Sequence, residues 1–164
     1  MTVIRLYETI TESIVKWMMP ILNDVADNST VVFKINSKGG LRSTYIPILE
    51  RAKQLRYEQN CYLIADGIKF YSAAFLLYIM CNERNVIPQS LGMIHLPEFS
   101  NRDVIKEYEK RKTLEKMEST HAGLISTYTA FKTEDIFAHN LFLLDTKNLL
   151  KWKVADKAIS FFTY

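Results

Sequence analysis

Cysteine is scarce in this sequence, and its scarcity excludes two classes of protein. Only Cys61 and Cys81 occur among 164 residues, and both lie in apolar runs. Two such residues predict buried free thiols rather than the disulfide framework of a small secreted domain. A structural metal site needs more ligands at closer spacing, so we expect no metal and no other cofactor.

Strong charge and long apolar runs are also missing. The net charge is +3, from 21 basic and 18 acidic residues, which is too weak and too dispersed to predict nucleic-acid binding. The longest apolar run covers residues 71–81, far short of a bilayer span, and no signal-peptide pattern opens the chain. We therefore expect a cytoplasmic protein with no membrane partner. There is no internal repeat and no linker, so residues 1–164 are predicted to form one domain.

The patterns that are present alternate between strands and helices. Strands are predicted at residues 3–7, 30–35 and 61–65, with a helix between each pair. In the first helix we expect Thr11 to be the N-cap and Pro20 to cause a kink or a break. This β-α-β-α-β order indicates a mostly parallel α/β sheet with right-handed crossovers. Residues 66–71 are predicted as a loop, residues 72–80 as a buried helix, and residues 86–87 and 91–94 as two short strands around Pro88. Further on we expect a charged helix over residues 101–128, N-caps at Thr133 and Asp145, and a last strand or arm over residues 154–162.

Four residues of this central region carry chemistry. Gly39 and Gly40 form a turn, Ser72 opens the buried helix, and His95 follows a strand. A backbone donor, a hydroxyl and an imidazole are the groups that nucleophilic acyl transfer requires. Taken singly, each has a commoner structural role: a turn, an N-cap for Ser72, and a hydrogen-bonded histidine at a strand end.

The order of these motifs resembles the Clp protease proteolytic subunit, within the wider crotonase-like superfamily. The matching segments are INSKGG at residues 35–40, GIKFYSAAFLL at residues 67–77, PQS at residues 88–90 and MIHLP at residues 93–97. The resemblance implies the Clp/crotonase-like α/β fold with a protruding handle helix at about residues 101–128. It also implies an oxyanion hole formed by Gly39, Gly40 and the N–H of Ala73, with His95 as the general base.

The nucleophile has two alternative registers. Alignment on Gly67 and on Phe75 places Tyr71 at the family's serine position, whereas alignment on Arg84 and His95 places Ser72 there. We favour Ser72, because two small residues follow it at the sharp turn between strand and helix.

The third member of the triad is not matched. A gapless alignment puts Leu141 where the family has aspartate, with Asn140 beside it and Asp135 and Asp145 as the nearest carboxylates. Asn140 or Asp135 is therefore the candidate to orient His95. Loss of that group lowers the rate by orders of magnitude without removing the fold.

The resemblance also has implications for partners. The handle implies a homo-oligomer, ring-like and heptameric or in stacked rings, that acts on peptides. Only Met1 and Thr2 precede the first predicted strand, which counts against docking to an ATPase. His121 and His139 are predicted to be structural or surface residues.

Three functions follow from these observations. The first is a self-assembling serine peptidase of the Clp type that cleaves peptides or unfolded protein. The second is a catalytically inactive assembly or regulatory subunit, favoured by Leu141 and by the Tyr71 register. The third is a crotonase-type thioester enzyme, which needs no serine.

Overall fold

A twisted sheet with helices packed against it forms the framework that positions the site. The computed structural model describes residues 1–95, 107–138 and 141–161. The strands are β1 Thr2–Leu6, β2 Thr30–Ser37, β3 Tyr62–Tyr71, β4 Glu83–His95, β5 Leu141–Asp145 and β6 Lys157–Ala158. The helices are α1 Glu12–Asn23, α2 Arg42–Tyr57, α3 Ala73–Ile79, α4 Glu107–Tyr128, α5 Thr133–Ala138 and α6 Thr146–Lys151.

The strand order confirms the predicted parallel α/β architecture. Neighbouring strands follow the order β1-β2-β3-β4-β5, with β6 beside β4. The pairs β1–β2, β2–β3 and β3–β4 are parallel, and only β5 runs antiparallel to its neighbour. Because the carboxyl ends of parallel strands lie at one edge of a sheet, the ends of β2, β3 and β4 are brought together there.

The first helix begins as the sequence predicts. The Thr11 hydroxyl accepts a hydrogen bond from the Ile14 N–H at 3.4 Å, which caps α1. Of the two effects predicted for Pro20, a kink or a break, the break does not occur, since α1 continues through Pro20 to Asn23. Three residues after Pro20 complete the helix, and Met18 and Leu22 on its inner face are buried.

The two central strands are longer than predicted. Residues 66–71 continue β3 rather than forming a loop, and β4 is one strand where two were predicted. The pairing between them breaks after Gly67, opposite Val86, and resumes at Lys69, opposite Leu91. Pro88 lies in the unpaired part of β4, where its missing N–H leaves no ladder bond unmade.

A serine side chain bridges this interruption in the ladder. Ser90 Oγ donates to the Gly67 carbonyl at 2.6 Å and accepts from the Ile87 N–H at 2.9 Å. The serine of the PQS motif therefore has a structural role, holding β3 and β4 together where the backbone pairing lapses.

Helix α3 lies at the centre of the core. All seven of its residues are buried, as its continuous apolar sequence predicts. The Tyr78 ring stacks on Phe70 of β3 with centroids 4.0 Å apart, and its hydroxyl donates to the Asn85 carbonyl at 3.2 Å. This packing holds α3 in place against β3 and β4, directly after Ser72.

The C-terminal elements close the sheet. Strand β5 follows α5 and was not predicted, whereas the predicted Asp145 cap of α6 is confirmed by its 2.9 Å bond from the Asn148 N–H. Thr133 is the first residue of α5 rather than its cap. The predicted final strand is limited to β6, and Asp156 just before it forms a bidentate ion pair with Arg84, at 2.7 Å and 3.1 Å.

The predicted handle corresponds to α4 over its described part, and residues 101–106 lie outside the described residues. In the described parts of the chain, no helix combines the length and apolar character needed to cross a bilayer.

Candidate active site

Ser72 occupies a strained turn between a strand and a helix. Strand β3 ends at Tyr71 and α3 begins at Ala73, so Ser72 alone forms the connection. Its backbone has φ 55° and ψ −120°, a conformation that L-residues rarely adopt and that costs roughly 1–3 kcal/mol. The Ser72 N–H donates to the Met93 carbonyl at 3.0 Å, which holds the turn against β4.

The hydroxyl of Ser72 does not cap the helix that it precedes. The Ser72 side chain forms no capping hydrogen bond, and its carbonyl accepts the N–H groups of Phe75 and Leu76 at 3.0 Å and 3.3 Å. The commonest structural use of a serine at this position is therefore not the one made here.

Gly39 packs directly against the Ser72 turn. Its φ is +86°, and a Cβ built on it would lie 2.6 Å from the Tyr71 carbonyl oxygen and 2.9 Å from the Ala73 nitrogen. Both neighbours are backbone atoms, which cannot move aside as a flexible side chain can. Only glycine fits at position 39.

The same glycine turn is held from its other side by the segment before α1. The Ile10 N–H donates to the Gly39 carbonyl at 2.8 Å, and a Cβ on Gly40 would lie 2.2 Å from the Ile10 carbonyl oxygen. Ser37 Oγ donates to the Glu8 carbonyl at 2.6 Å and accepts from the Gly39 N–H at 3.1 Å. The turn is therefore fixed between residues 8–10 and the Ser72 turn.

Two backbone N–H groups remain without an acceptor beside Ser72. The Gly39 N–H is used by Ser37, but the N–H groups of Gly40 and Ala73 donate to no acceptor among the described residues. Both residues line the same cavity as Ser72. Such paired donors are the arrangement that stabilises an oxyanion.

That cavity has a volume of about 210 Å³ and brings the predicted residues together. Ser72, His95, Gly40 and Ala73 all line it, while Gly39 lies behind the Ser72 turn. Its other lining residues are Leu41, Arg42, Tyr45, Phe75, Leu76, Ile94, Met117, His121 and Ile125. His95 reaches the cavity from the carboxyl end of β4, next to the strand residues that hold Ser72.

Sequence comparison now gives the family. The family model for Clp protease matches residues 2–151. The chain belongs to the Clp protease family. Among solved structures it is similar to an asparagine-to-aspartate mutant of ClpP1 from Listeria monocytogenes, with 20% sequence identity and a TM-score of 0.80, over 96% of this chain and 90% of that one. This likeness confirms the Clp-type α/β fold. A search of the curated proteins finds no match.

The alternative nucleophile lies elsewhere in this Clp-type fold. Tyr71 is the last residue of β3, paired with Met93. Among the described residues that line the cavity, Tyr71 is not one. The geometry of the cavity thus favours the Ser72 register.

The orienting carboxylate of the triad has no counterpart in the described cavity wall. No aspartate or glutamate occurs among the described lining residues. The strand partner of His95 is Leu141, the residue that the gapless alignment puts at the family's aspartate position, and it is 62% exposed. Asp135 accepts a bond from the Lys132 N–H at 3.2 Å at the start of α5, and Asn140 lies outside the described residues.

One pair of cavity residues was not predicted from the sequence. His121, predicted to be structural or at the surface, is buried on α4, and its Nε2 lies 2.9 Å from the Tyr45 hydroxyl of α2. Burial, together with the smaller effects of the charges of Arg42 and His95, lowers the pKa of His121 to about 4. The signal in the sequence was the apolar pair Ala122 and Ile125 in a helix with many charged residues. Both are buried, and they mark the face of α4 that points inward.

No group of three or more His, Cys, Asp or Glu side chains that could hold a metal ion occurs within residues 1–95, 107–138 and 141–161. The described donors of the cavity are a hydroxyl, imidazoles, a phenol, a guanidinium and backbone N–H groups. This set suits acyl-transfer chemistry on a carbonyl group.

Proposed function

We propose that this protein is a serine peptidase of the Clp type that cleaves peptides or unfolded protein. Ser72 is the nucleophile, His95 the general base, and the N–H groups of Gly40 and Ala73 form the oxyanion hole. One observation carries the proposal: the strained, uncapped Ser72 shares a cavity with His95 and two unused N–H donors. The family supplies the reaction class, since the chain is a Clp protease family member.

The proposed reaction follows from these positions. Ser72 Oγ attacks the peptide carbonyl carbon as its proton passes to His95, and the carbonyl oxygen gains negative charge between the two N–H groups. When the intermediate collapses, the C–N bond breaks and the amine leaves with the proton from His95. Water then repeats the sequence on the acyl-enzyme and releases the acid.

Leu141 lies opposite His95 in the strand pairing and cannot orient it, because its side chain accepts no hydrogen bond from an imidazole N–H. Replacing the triad aspartate in a serine protease lowers kcat by roughly 10⁴-fold. We therefore expect the rate of peptide turnover to depend on which group orients His95, for which Asn140 and Asp135 are the candidates.

A fluorophosphonate probe tests the nucleophile without requiring fast turnover. Attack by an activated serine forms an O–P bond and expels fluoride, and mass spectrometry of the digested protein locates the adduct. We expect the adduct on Ser72, and its loss in Ser72→Ala and His95→Ala.

Two matched variants control this test. Tyr71→Phe removes the rival hydroxyl, and Ser119→Ala removes the hydroxyl of an exposed serine on α4; both should label like the parent protein. An adduct on Tyr71, or no adduct on the folded protein, would overturn the peptidase proposal.

A second candidate, the non-catalytic assembly subunit, is favoured by one observation. The residue opposite His95 is a leucine, and the gapless alignment puts this leucine at the family's aspartate position. Absence of labelling together with intact assembly would support this candidate over the first.

Assembly is part of both candidates. Strand β5 has β4 as its only neighbour among the described strands, and its residues Leu141 and Leu143 are each 62% exposed. An uncovered apolar edge strand is unusual in a stable monomer. We propose that a second copy covers it within a ring-like homo-oligomer, heptameric or in stacked rings.

Light scattering at micromolar concentration tests this assembly. We expect a multimer for the parent protein and smaller species for the Leu141→Glu/Leu143→Glu variant. Lys132→Glu, an exposed charge change outside β5, serves as the control. A parent protein that is monomeric would contradict the proposal.

A further inference from the structure

The cavity beside Ser72 has one buried polar pair in otherwise apolar surroundings. Tyr45 and His121 belong to different helices, and their hydroxyl and Nε2 atoms lie 2.9 Å apart. The neighbouring wall is apolar and is formed by Phe75, Leu76, Ile94, Met117 and Ile125. The pair is therefore the most buried polar feature that a group entering the cavity meets.

Both members of the pair are uncharged at neutral pH. Burial raises the pKa of Tyr45, although the charge of Arg42 opposes the shift. Burial also lowers the pKa of His121 to about 4. Arg42 is an exposed residue that also lines the cavity, and its charge favours the neutral form of His121.

The pair keeps unused hydrogen-bonding capacity. A neutral imidazole and a phenol together offer more donors and acceptors than their one mutual bond uses. If the Tyr45 hydroxyl donates to Nε2, the His121 Nδ1–H remains; if Nε2–H donates, the Tyr45 hydroxyl proton remains. The described residues give neither group a second hydrogen bond.

We propose that Tyr45 and His121 select an uncharged, hydrogen-bonding side chain, such as that of asparagine, on the residue whose carbonyl Ser72 attacks. This inference rests on the proposed peptidase function and names its substrate class. The volume of about 210 Å³ is smaller than a drug-sized pocket and suits one side chain. An apolar side chain in the same space would leave the polar pair unsatisfied, and a carboxylate would be desolvated against neutral partners.

Three fluorogenic peptide amides test the selection. They differ only in the residue before the scissile amide, which is asparagine, leucine of nearly equal size, or aspartate. In the parent protein kcat/KM should be at least tenfold higher for asparagine than for leucine. Tyr45→Phe should lower this ratio about tenfold, since a site built for a polar group discriminates through that group.

A matched variant removes the same atom outside the cavity. Tyr57 is exposed, and among the described residues its hydroxyl bonds only to the Tyr128 hydroxyl, at 2.6 Å. Tyr57→Phe should therefore leave the asparagine-to-leucine ratio unchanged. His121→Gln keeps a neutral hydrogen-bonding group and should retain part of the preference.

Several results would overturn the inference. These are a preference for leucine in the parent protein, a preference for aspartate directed by Arg42, or a ratio unaffected by Tyr45→Phe. If His121→Gln lowered kcat/KM equally for all three peptides, His121 would be assigned to positioning His95 instead of to selecting the substrate.

Binding separates this inference from the peptidase proposal. Calorimetry with Ser72→Ala protein measures the affinity of peptide acids ending in asparagine or leucine without any turnover. Tighter binding of the asparagine peptide, lost in Tyr45→Phe, supports recognition even if the parent protein hydrolyses nothing. Equal affinities would refute recognition even if hydrolysis is observed.

Discussion

Replacing Gly39 by alanine tests the contact on which the whole site geometry depends. The new Cβ would lie 2.6 Å from the Tyr71 carbonyl oxygen, whereas ordinary contacts begin at 3.4 Å, so the glycine turn and the Ser72 turn must separate. Overpacking of this kind costs about 1–3 kcal/mol. The left-handed backbone at φ +86° adds about 1–2 kcal/mol for a residue with a Cβ.

We therefore expect Gly39→Ala to lower the free energy of unfolding by about 2–5 kcal/mol, a large share of the stability of an ordinary domain. Urea denaturation followed by circular dichroism, at one fixed protein concentration, measures this loss. The folded fraction should also label with fluorophosphonate at least tenfold more slowly, because small displacements of reacting groups reduce rates steeply.

Gly123 provides the matched control for this substitution. It lies within α4, and a Cβ built on it meets nothing within 4 Å. Gly123→Ala should raise stability by about 0.5–1 kcal/mol through helix propensity. If Gly39→Ala matched the parent protein in both stability and labelling rate, the argument that position 39 sets the geometry of the Ser72 turn would be refuted.

Three further predictions concern charge and burial. Because the pKa of His121 falls to about 4 on folding, its neutral form is favoured, and stability should decline by about 3 kcal/mol as the pH falls from 6.5 to 4; His121→Gln should flatten this part of a pH-dependent urea series. Arg84→Lys should cost about 1–2 kcal/mol, because lysine cannot form the bidentate pair with Asp156. Burial raises the pKa of Cys81 to about 12, so iodoacetamide at pH 8 should modify it only after urea unfolding.

Each of these predictions has a result that would contradict it. If the free energy of unfolding declined identically between pH 6.5 and 4 in the parent protein and in His121→Gln, His121 would be excluded as the source of the pH dependence. Arg84→Lys at parental stability would make the ion pair energetically neutral, and rapid alkylation of native Cys81 would show that its thiol is accessible.

Local patterns predicted the elements whose pairing is regular. Strand β2 is rich in β-branched residues, the start of β3 is an apolar run, and Thr11 and Asp145 are caps that depend on residues three positions away. Such features depend on residues that are close together in the sequence, so the parallel sheet and two helix starts were predicted from them.

Errors arose where a distant residue decides the conformation. Asp66 was assigned to a loop because it follows an apolar run, but in β3 its carboxylate accepts a bond from Asn85 of the neighbouring strand at 2.9 Å. Likewise, the side chain of Ser90 bridges β4 to Gly67 of β3 where the backbone pairing is interrupted. Asp66 and Asn85 are 19 residues apart and Gly67 and Ser90 are 23 apart, so no local window contains both members of either pair.

The residues of the candidate site were likewise predicted only in part. The order of Gly39, Gly40, Ser72 and His95 predicted a common location, and the cavity brings three of them into one wall with the fourth behind it. His121 was missed because its partner Tyr45 lies 76 residues away. His121 becomes part of the cavity because Tyr45 of α2 lies beside it in the folded chain.

The backbone at Ser72 has a consequence for the selection acting on this chain. A residue at φ 55° and ψ −120° lies in a region that glycine occupies at little cost. On stability alone, glycine would be the better choice at position 72, by roughly 1 kcal/mol. Serine at this position gives up part of the thermodynamic margin of the fold for a hydroxyl group, as expected of the nucleophile that we propose.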